Sequence, residues 1–301
     1  MTQQSDPRQD STTSTQRSSA AAQQKVTPEL RRWIIEQTQA GCTQASLLQS
    51  MRSSGWNEQV AAEALESTLH QLLVEPAAPQ SPPASMPGPR LDESPTRVDC
   101  GDRTADVLLS MEQPRIVVFG NLLAPEECEA LIAAAASRMA RSLTVAPETG
   151  GEEFNDARTS DGMFFHRGES PLLQRIEARI ARLLNWPVEN GEGLQVLHYR
   201  PGAEYKPHYD YFNPEDPGTP KILQRGGQRV GTLVLYLATT EKGGGTVFPD
   251  VHVAVAPQRG NAVFFSYDRP HPDTRTLHGG APVIAGDKWI ATKWLREREF
   301  R

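Results

Sequence analysis

The sequence predicts an α+β fold: an antiparallel jelly roll supported by N-terminal helices, with a small separate all-α helical module ahead of it. Three observations carry that prediction. From Leu194 onward the chain breaks into short runs rich in β-branched and aromatic residues, divided by Gly and Pro. Two amphipathic helical stretches precede those runs, and residues 27–74 hold a helical periodicity of their own.

Residues 1–26 are dominated by Gln, Ser, Thr, Ala and Asp. Such a segment cannot bury enough apolar surface to offset the entropy of ordering, so a disordered tail is expected. Thr27 and Pro28 then supply an N-cap and a first turn, and Leu30, Trp33, Ile34 and Ile35 cluster at helical spacing. Gly41 is placed to end that helix. Ala45, Leu47, Leu48 and Met51 fit a second helix, and Val60, Ala64, Leu65, Leu69 and Leu72 a third after the Ser53-Ser54-Gly55 break. With its Gly55-Trp56 turn this stretch resembles a ubiquitin-associated-like three-helix module. It is read either as a generic helical appendage or as a docking module for a protein partner or a second copy of the chain. The Pro-rich residues 75–100 are expected to be a linker, which leaves 101–301 as the main domain.

Within that domain Arg115 to Phe119 reads as a short buried strand. Pro125 to Ala140 reads as a helix whose Glu126 and Glu127 suit its dipole. Pro171 to Leu184 forms a second helix with Leu173, Ile176, Ile180 and Leu183 on one face. Both helices should back a sheet made from the runs LQVLHYR, RVGTLVLYLA, VHVAVA, NAVFFSY and KWIATKWL.

Bulk properties narrow the function. With 31 basic against 37 acidic side chains and a net charge of -6, nothing in the electrostatics favours a polyanion, so nucleic acid is disfavoured as a partner. Cys42, Cys100 and Cys128 contain no CxxC pair, which removes zinc ribbons and a disulfide framework. No apolar run reaches the roughly 18 residues of a spanning helix, and a cytoplasmic protein without membrane contact is expected.

The chemistry concentrates in YKPHYDYF. If this segment is a strand, His208 and Asp210 leave the same face about 7 Å apart at Cα and can touch one ion. His278, followed by Gly279-Gly280, is a third candidate. Two imidazoles and one carboxylate make the facial triad that leaves three positions open on Fe(II). Zinc hydrolysis with the same ligand types stays open on those residues alone. Lys288 favours the iron reading, because a cation deep in the pocket suits the distal carboxylate of 2-oxoglutarate, and a simple hydrolase has no use for it. Asn213 to Gly227, rich in Pro and Gly and directly after the first two ligands, is expected to be a lid.

Residues 194–296 resemble the catalytic core of the prolyl 4-hydroxylase family of 2-oxoglutarate and Fe(II)-dependent dioxygenases. HYRPGAEYKPHYDYF, QRVGTLVLYL, GGGTVFP, NAVFFSY, TLHGGAPVIAGDKW and ATKW appear in the family's order. The stretch from about Pro114 to Asn190 resembles the family's helical support region. The resemblance implies a double-stranded β-helix with Fe(II), 2-oxoglutarate and O2, and ascorbate as a further reductant.

It also implies that His208, Asp210 and His278 hold iron and that Lys288 pairs with the 5-carboxylate of 2-oxoglutarate. Tyr199 would help hold that carboxylate and Thr232 would line the same pocket, while Trp294, Tyr211 and Arg229 would face the substrate. The implied activity is 4-hydroxylation of proline in a peptide or protein through an Fe(IV)-oxo intermediate. Alternatives are a hydroxylase of a free amino acid or other small molecule, and a non-catalytic sensor or adaptor using the same fold. Gly245 departs from the family, where an acidic residue is frequent, and a loop rather than the iron should feel it. His198, His252 and His271 are expected to be structural or solvent-facing.

Overall fold

The computed structural model describes residues 26–39, 42–74, 86–142, 144–153 and 157–301. The chain divides into two compact units, with the boundary between Pro82 and Pro83. The tail expected over residues 1–25, the helix end at Gly41 and residues 75–85 of the expected linker lie outside the described residues.

In the first unit helices span Pro28–Gln39, Gln44–Ser53 and Glu58–Val74. Thr43 starts the second of them, its side chain accepting from the Ser46 amide, as an N-cap hydroxyl does for an otherwise orphaned donor. Gly55 turns the chain at φ 88°, a left-handed value that costs glycine nothing. Ile34, Leu47, Met51, Ala61, Ala64, Leu65 and Leu69 form the buried cluster of this unit, with Trp33 and Trp56 packed on its edge.

The second unit mixes helices and strands around a large antiparallel sheet of nine strands. Across its middle run, in spatial order, Arg115–Gly120, Ala262–Ser266, Arg229–Tyr236, Lys288–Arg296, Leu194–Tyr199 and Asp161–Phe165. A second sheet of four strands orders Val253–Val255, Thr246–Phe248, His278–Gly280 and Tyr205–His208.

Strand alternation assigns each side chain of the large sheet to one of two apolar clusters. Leu233, Leu235, Ala291, Leu295 and Val196 point toward the helices Pro125–Ala136 and Pro171–Leu184, meeting Leu131, Ile176, Ile180 and Leu183. Val234, Tyr236, Ile290, Leu197 and Tyr199 point the other way, and Phe248, Val255 and Tyr205 from the four-stranded sheet join their cluster.

Three boundaries differ from the sequence reading. The first helix stops at Ala136, because Ala140–Arg141 pairs with Asp161–Gly162 at the sheet's edge. The second part of the expected linker is attached to this unit: the Gly88 amide donates to the Leu184 carbonyl, Arg115 donates to the Pro89 carbonyl, and Arg97–Asp99 pairs as a strand. Thr104–Met111 is a further strand that the hydrophobic pattern did not announce, since Leu108 and Leu109 sit exposed at a bulge.

Buried charge fastens helices to sheet. Glu127, in the first turn of its helix as expected, accepts from the Ala124 amide and also clamps the neighbouring helix, accepting from both terminal nitrogens of buried Arg179. The Lys293 ammonium, 2% exposed, lies 2.6 Å from Glu177 on the second helix. Lys293→Ala leaves that carboxylate without its counter-charge, held among the described residues only by the Gly168 amide, and should cost about 3–5 kcal/mol. The denaturant midpoint should fall with an unchanged m-value; a midpoint equal to wild type would mean that the pair contributes nothing.

Candidate active site

His208 ends one strand of the smaller sheet, His278 begins its neighbour, and the two are directly paired across the ladder. The strand expected through Asp210 stops at His208, so the carboxylate arrives from the following turn. It still reaches both rings. Asp210 Oδ1 lies 3.5 Å from His208 Nε2 and Oδ2 lies 3.4 Å from His278 Nε2. One ligand atom from each of the three residues falls within 4.8 Å of the others.

The backbone orients both imidazoles alike. His208 Nδ1 is 2.9 Å from the Lys206 carbonyl and His278 Nδ1 is 2.9 Å from the Thr276 carbonyl. A carbonyl can only accept, so Nδ1 carries the proton and Nε2 presents a lone pair. Burial, and then the neighbouring His278, lowers the pKa of His208. Burial alone would raise that of Asp210, but close contact with His278 and His208, where a ring carries a second proton on Nε2, outweighs it and holds the carboxyl well below the usual carboxylate range. Two imidazole lone pairs and a carboxylate aimed at one point repel one another unless a cation stands between them. The donor set fits Fe(II): His208, Asp210 and His278 would hold the ion, which would supply redox chemistry with O2 there.

A cavity extends from these ligands between the two sheets, lined by Leu197, Tyr199, Val234, Lys288, Ile290 and Trp294 among others. Lys288 is 2% exposed and makes no ion pair among the described residues; burial pushes its pKa down to about 8. Tyr199 stands opposite it on the adjacent strand, with the ammonium 5.0 Å from the ring centroid.

Thr232 lines the cavity as expected, but its hydroxyl is occupied. It donates to Asp210 Oδ2 at 2.7 Å and lies 3.1 Å from the Tyr267 hydroxyl. Burial, reinforced by the Asp210 charge, raises the Tyr267 phenol well above its ordinary pKa. A protonated phenol donating to Thr232 turns the threonine proton toward Asp210. Thr232 therefore lines the cavity and steadies the Asp210 carboxylate.

Of the three residues expected to face substrate, only Trp294 lines the cavity. Arg229 is engaged by Glu192 at 2.7 Å and 3.0 Å, and its guanidinium lies 4.0 Å from the Trp294 ring centroid. Tyr211 stacks on Tyr209 and meets Tyr267 edge-on. Both are outside the cavity lining, and Arg229 braces Trp294 in its wall.

Sequence reasoning missed Arg158, buried in the lining, which donates to Gln195 and stacks over Tyr205. It missed Glu192, the buried carboxylate shared by Arg229 and Arg296. His198, His252 and His271 lie outside the cavity lining, as expected. The segment expected to be a lid contains a short helix, Thr219–Leu223, and is fastened: the Gly218 amide donates to the Pro147 carbonyl and Arg296 donates to the Ile222 carbonyl. Motion of this segment as a lid would have to break those bonds.

Residues 194–296 match the 2OG-Fe(II) oxygenase superfamily. Prolyl 4-hydroxylase 5 of Arabidopsis thaliana is 40% identical over 222 residues, covering 67% of this chain and 74% of that protein. Prolyl 4-hydroxylase 1 of the same organism is 42% identical over 203 residues, covering 62% and 70%. A viral collagen prolyl hydroxylase from Paramecium Bursaria Chlorella virus-1, solved as a 2OG complex, aligns with a TM-score of 0.46 at 30% identity, covering 60% of this chain and 95% of that one.

The protein is thus an enzyme of the 2-oxoglutarate and Fe(II)-dependent oxygenase class, using Fe(II), 2-oxoglutarate and O2. Within that class the chain belongs to the prolyl 4-hydroxylase family.

Titration with Mn(II), a spectroscopically convenient stand-in for Fe(II), should show no specific site in His208→Ala. Tyr267→Phe should retain the site at about 10–100-fold lower affinity, the usual cost of losing an outer partner of a ligand. Wild-type affinity in Tyr267→Phe would remove the phenol from that role.

Proposed function

We propose that this protein hydroxylates proline at C4 within a peptide or protein, on a double-stranded β-helix, with ascorbate as an auxiliary reductant. The observation that carries the reading is a buried ammonium at Lys288, without an ion pair among the described residues, sharing one cavity with a two-histidine, one-carboxylate ligand set. The relatives named prolyl 4-hydroxylase at about 40% identity support the choice of substrate.

Bound together, Fe(II), 2-oxoglutarate and O2 supply an oxidant for an unactivated C–H bond, with succinate and carbon dioxide as coproducts. The chain's own residues divide the remaining work. His208, Asp210 and His278 hold the ion on one side, and Thr232 with Tyr267 behind it keeps the Asp210 carboxylate turned toward it. Charged Lys288 pairs with the distal carboxylate of 2-oxoglutarate, beside the Tyr199 ring. Leu197, Val234 and Ile290 form an apolar wall that excludes water from the co-substrate's methylene chain. Trp294, braced by Arg229, shapes the side on which the peptide arrives.

Lys288→Ala should weaken 2-oxoglutarate binding by roughly two to three orders of magnitude, because a buried carboxylate without its partner costs about 3–5 kcal/mol. The wild-type affinity should also depend on pH in one direction. Only the ammonium form pairs with the anion, and that form is lost as pH rises through about 8 in the free enzyme. Affinity should therefore be full below that pH and fall about tenfold per unit above it. Equilibrium titration across pH 6.5–9.5 checks this, and affinity that climbs with pH would overturn the role.

Succinate release should rise on adding a proline-containing peptide, with mass spectrometry finding one added oxygen on the proline. Stimulation by free proline or another small molecule instead would move the substrate, and no release under any condition would leave a non-catalytic scaffold.

A further inference from the structure

We propose that Phe164 is a substrate-binding side chain, an aromatic shelf outside the cavity that grips a peptide residue three positions from the one hydroxylated. The proposal rests on the peptidyl-proline reading above and deepens it.

Phe164 is 45% exposed, one of few large apolar side chains left in water among the described residues. Its strand, Asp161–Phe165, buries Met163 and Phe165 against the helices, so alternation turns Phe164 to the opposite face, the one that carries the cavity. Register fixes where on that face. Phe164 stands opposite Gln195, which stands opposite Thr292, and Thr292 lines the cavity. The Phe164 ring also lies 6.3 Å from the ring of Trp294, another lining residue. Phe164 thus continues the cavity wall outward, with nearly half of its surface in water.

The spacing selects an occupant. Two strand separations place Phe164 about 10 Å from Thr292. A proline-rich peptide in the polyproline II conformation rises about 3.1 Å per residue with three residues per turn, so side chains three apart share a face at about 9 Å. For a proline that enters the cavity beside Thr292, the side chain three positions away comes level with Phe164. A proline ring or an aliphatic group there would cover apolar surface that is otherwise wet, a favourable exchange for a rigid aromatic contact.

The test uses the full chain and two synthetic peptides of equal length. One carries a single proline in an Ala/Gly-rich background, and the other carries prolines at every third position. Wild type should show about a tenfold lower KM for the second peptide. Phe164→Ala should lose that preference while keeping the wild-type affinity for 2-oxoglutarate and the same kcat on the single-proline peptide. Phe164→Leu should restore part of the preference, and Leu108→Ala, which removes an exposed apolar side chain elsewhere, should leave it intact. An undiminished preference in Phe164→Ala overturns the shelf while the proline reading stands. If wild type hydroxylates neither peptide, the proline reading fails and the shelf falls with it.

Discussion

A carboxylate sealed in a protein interior must find positive partners or take up a proton, and Asp210 is placed to share one cation with two imidazoles. It is 7% exposed and set between two imidazole nitrogens. Backbone carbonyls fix both rings with their lone pairs inward. The arrangement stores repulsion that a divalent ion relieves, and the neighbouring elements serve to hold it. Neither ring can turn away without losing its hydrogen bond to a main-chain oxygen, and the carboxylate is held by Thr232. Site geometry is therefore tied to strand pairing, the most rigid feature available to the chain.

The large sheet keeps two environments apart. On one face Leu233, Leu235, Ala291 and Leu295 pack against helices and create a dry core. On the other Thr232, Lys288 and Tyr199 stand among apolar neighbours. Because side chains alternate strictly, residues adjacent in sequence serve opposite purposes: Lys293 pairs with a helix carboxylate while Trp294 lines the cavity. A one-residue slip of register would exchange the two sets.

Much of this was legible in the sequence, for identifiable reasons. The helix Pro171–Leu184 was legible because Pro stands at its start and a single apolar stripe runs its length; its left-handed end at Asn185 is seen only in the structure. The metal ligands were legible because few residue types bind iron and three of them occurred in a recognisable order. What escaped depends on neighbours distant in sequence. Nothing local marks Arg158 as a lining residue, since its partners Gln195 and Tyr205 come from other strands. Nothing in the sequence shows that Glu192 engages Arg229 or that the Thr232 hydroxyl donates to Asp210. Charge and polarity show in a sequence, whereas whether a polar group is already satisfied is decided by the fold.

The ammonium at Lys288 is dry and has no counter-charge among the described residues, so the empty enzyme tolerates a solvation penalty that any suitably placed anion would remove. Mass action then links foldedness to ligand supply: the native population grows with the concentration of whatever dicarboxylate enters the cavity. A metabolite's abundance is thereby written into the protein's resistance to heat and proteolysis as well as its turnover, and scarcity would thin out the enzyme as well as slow it.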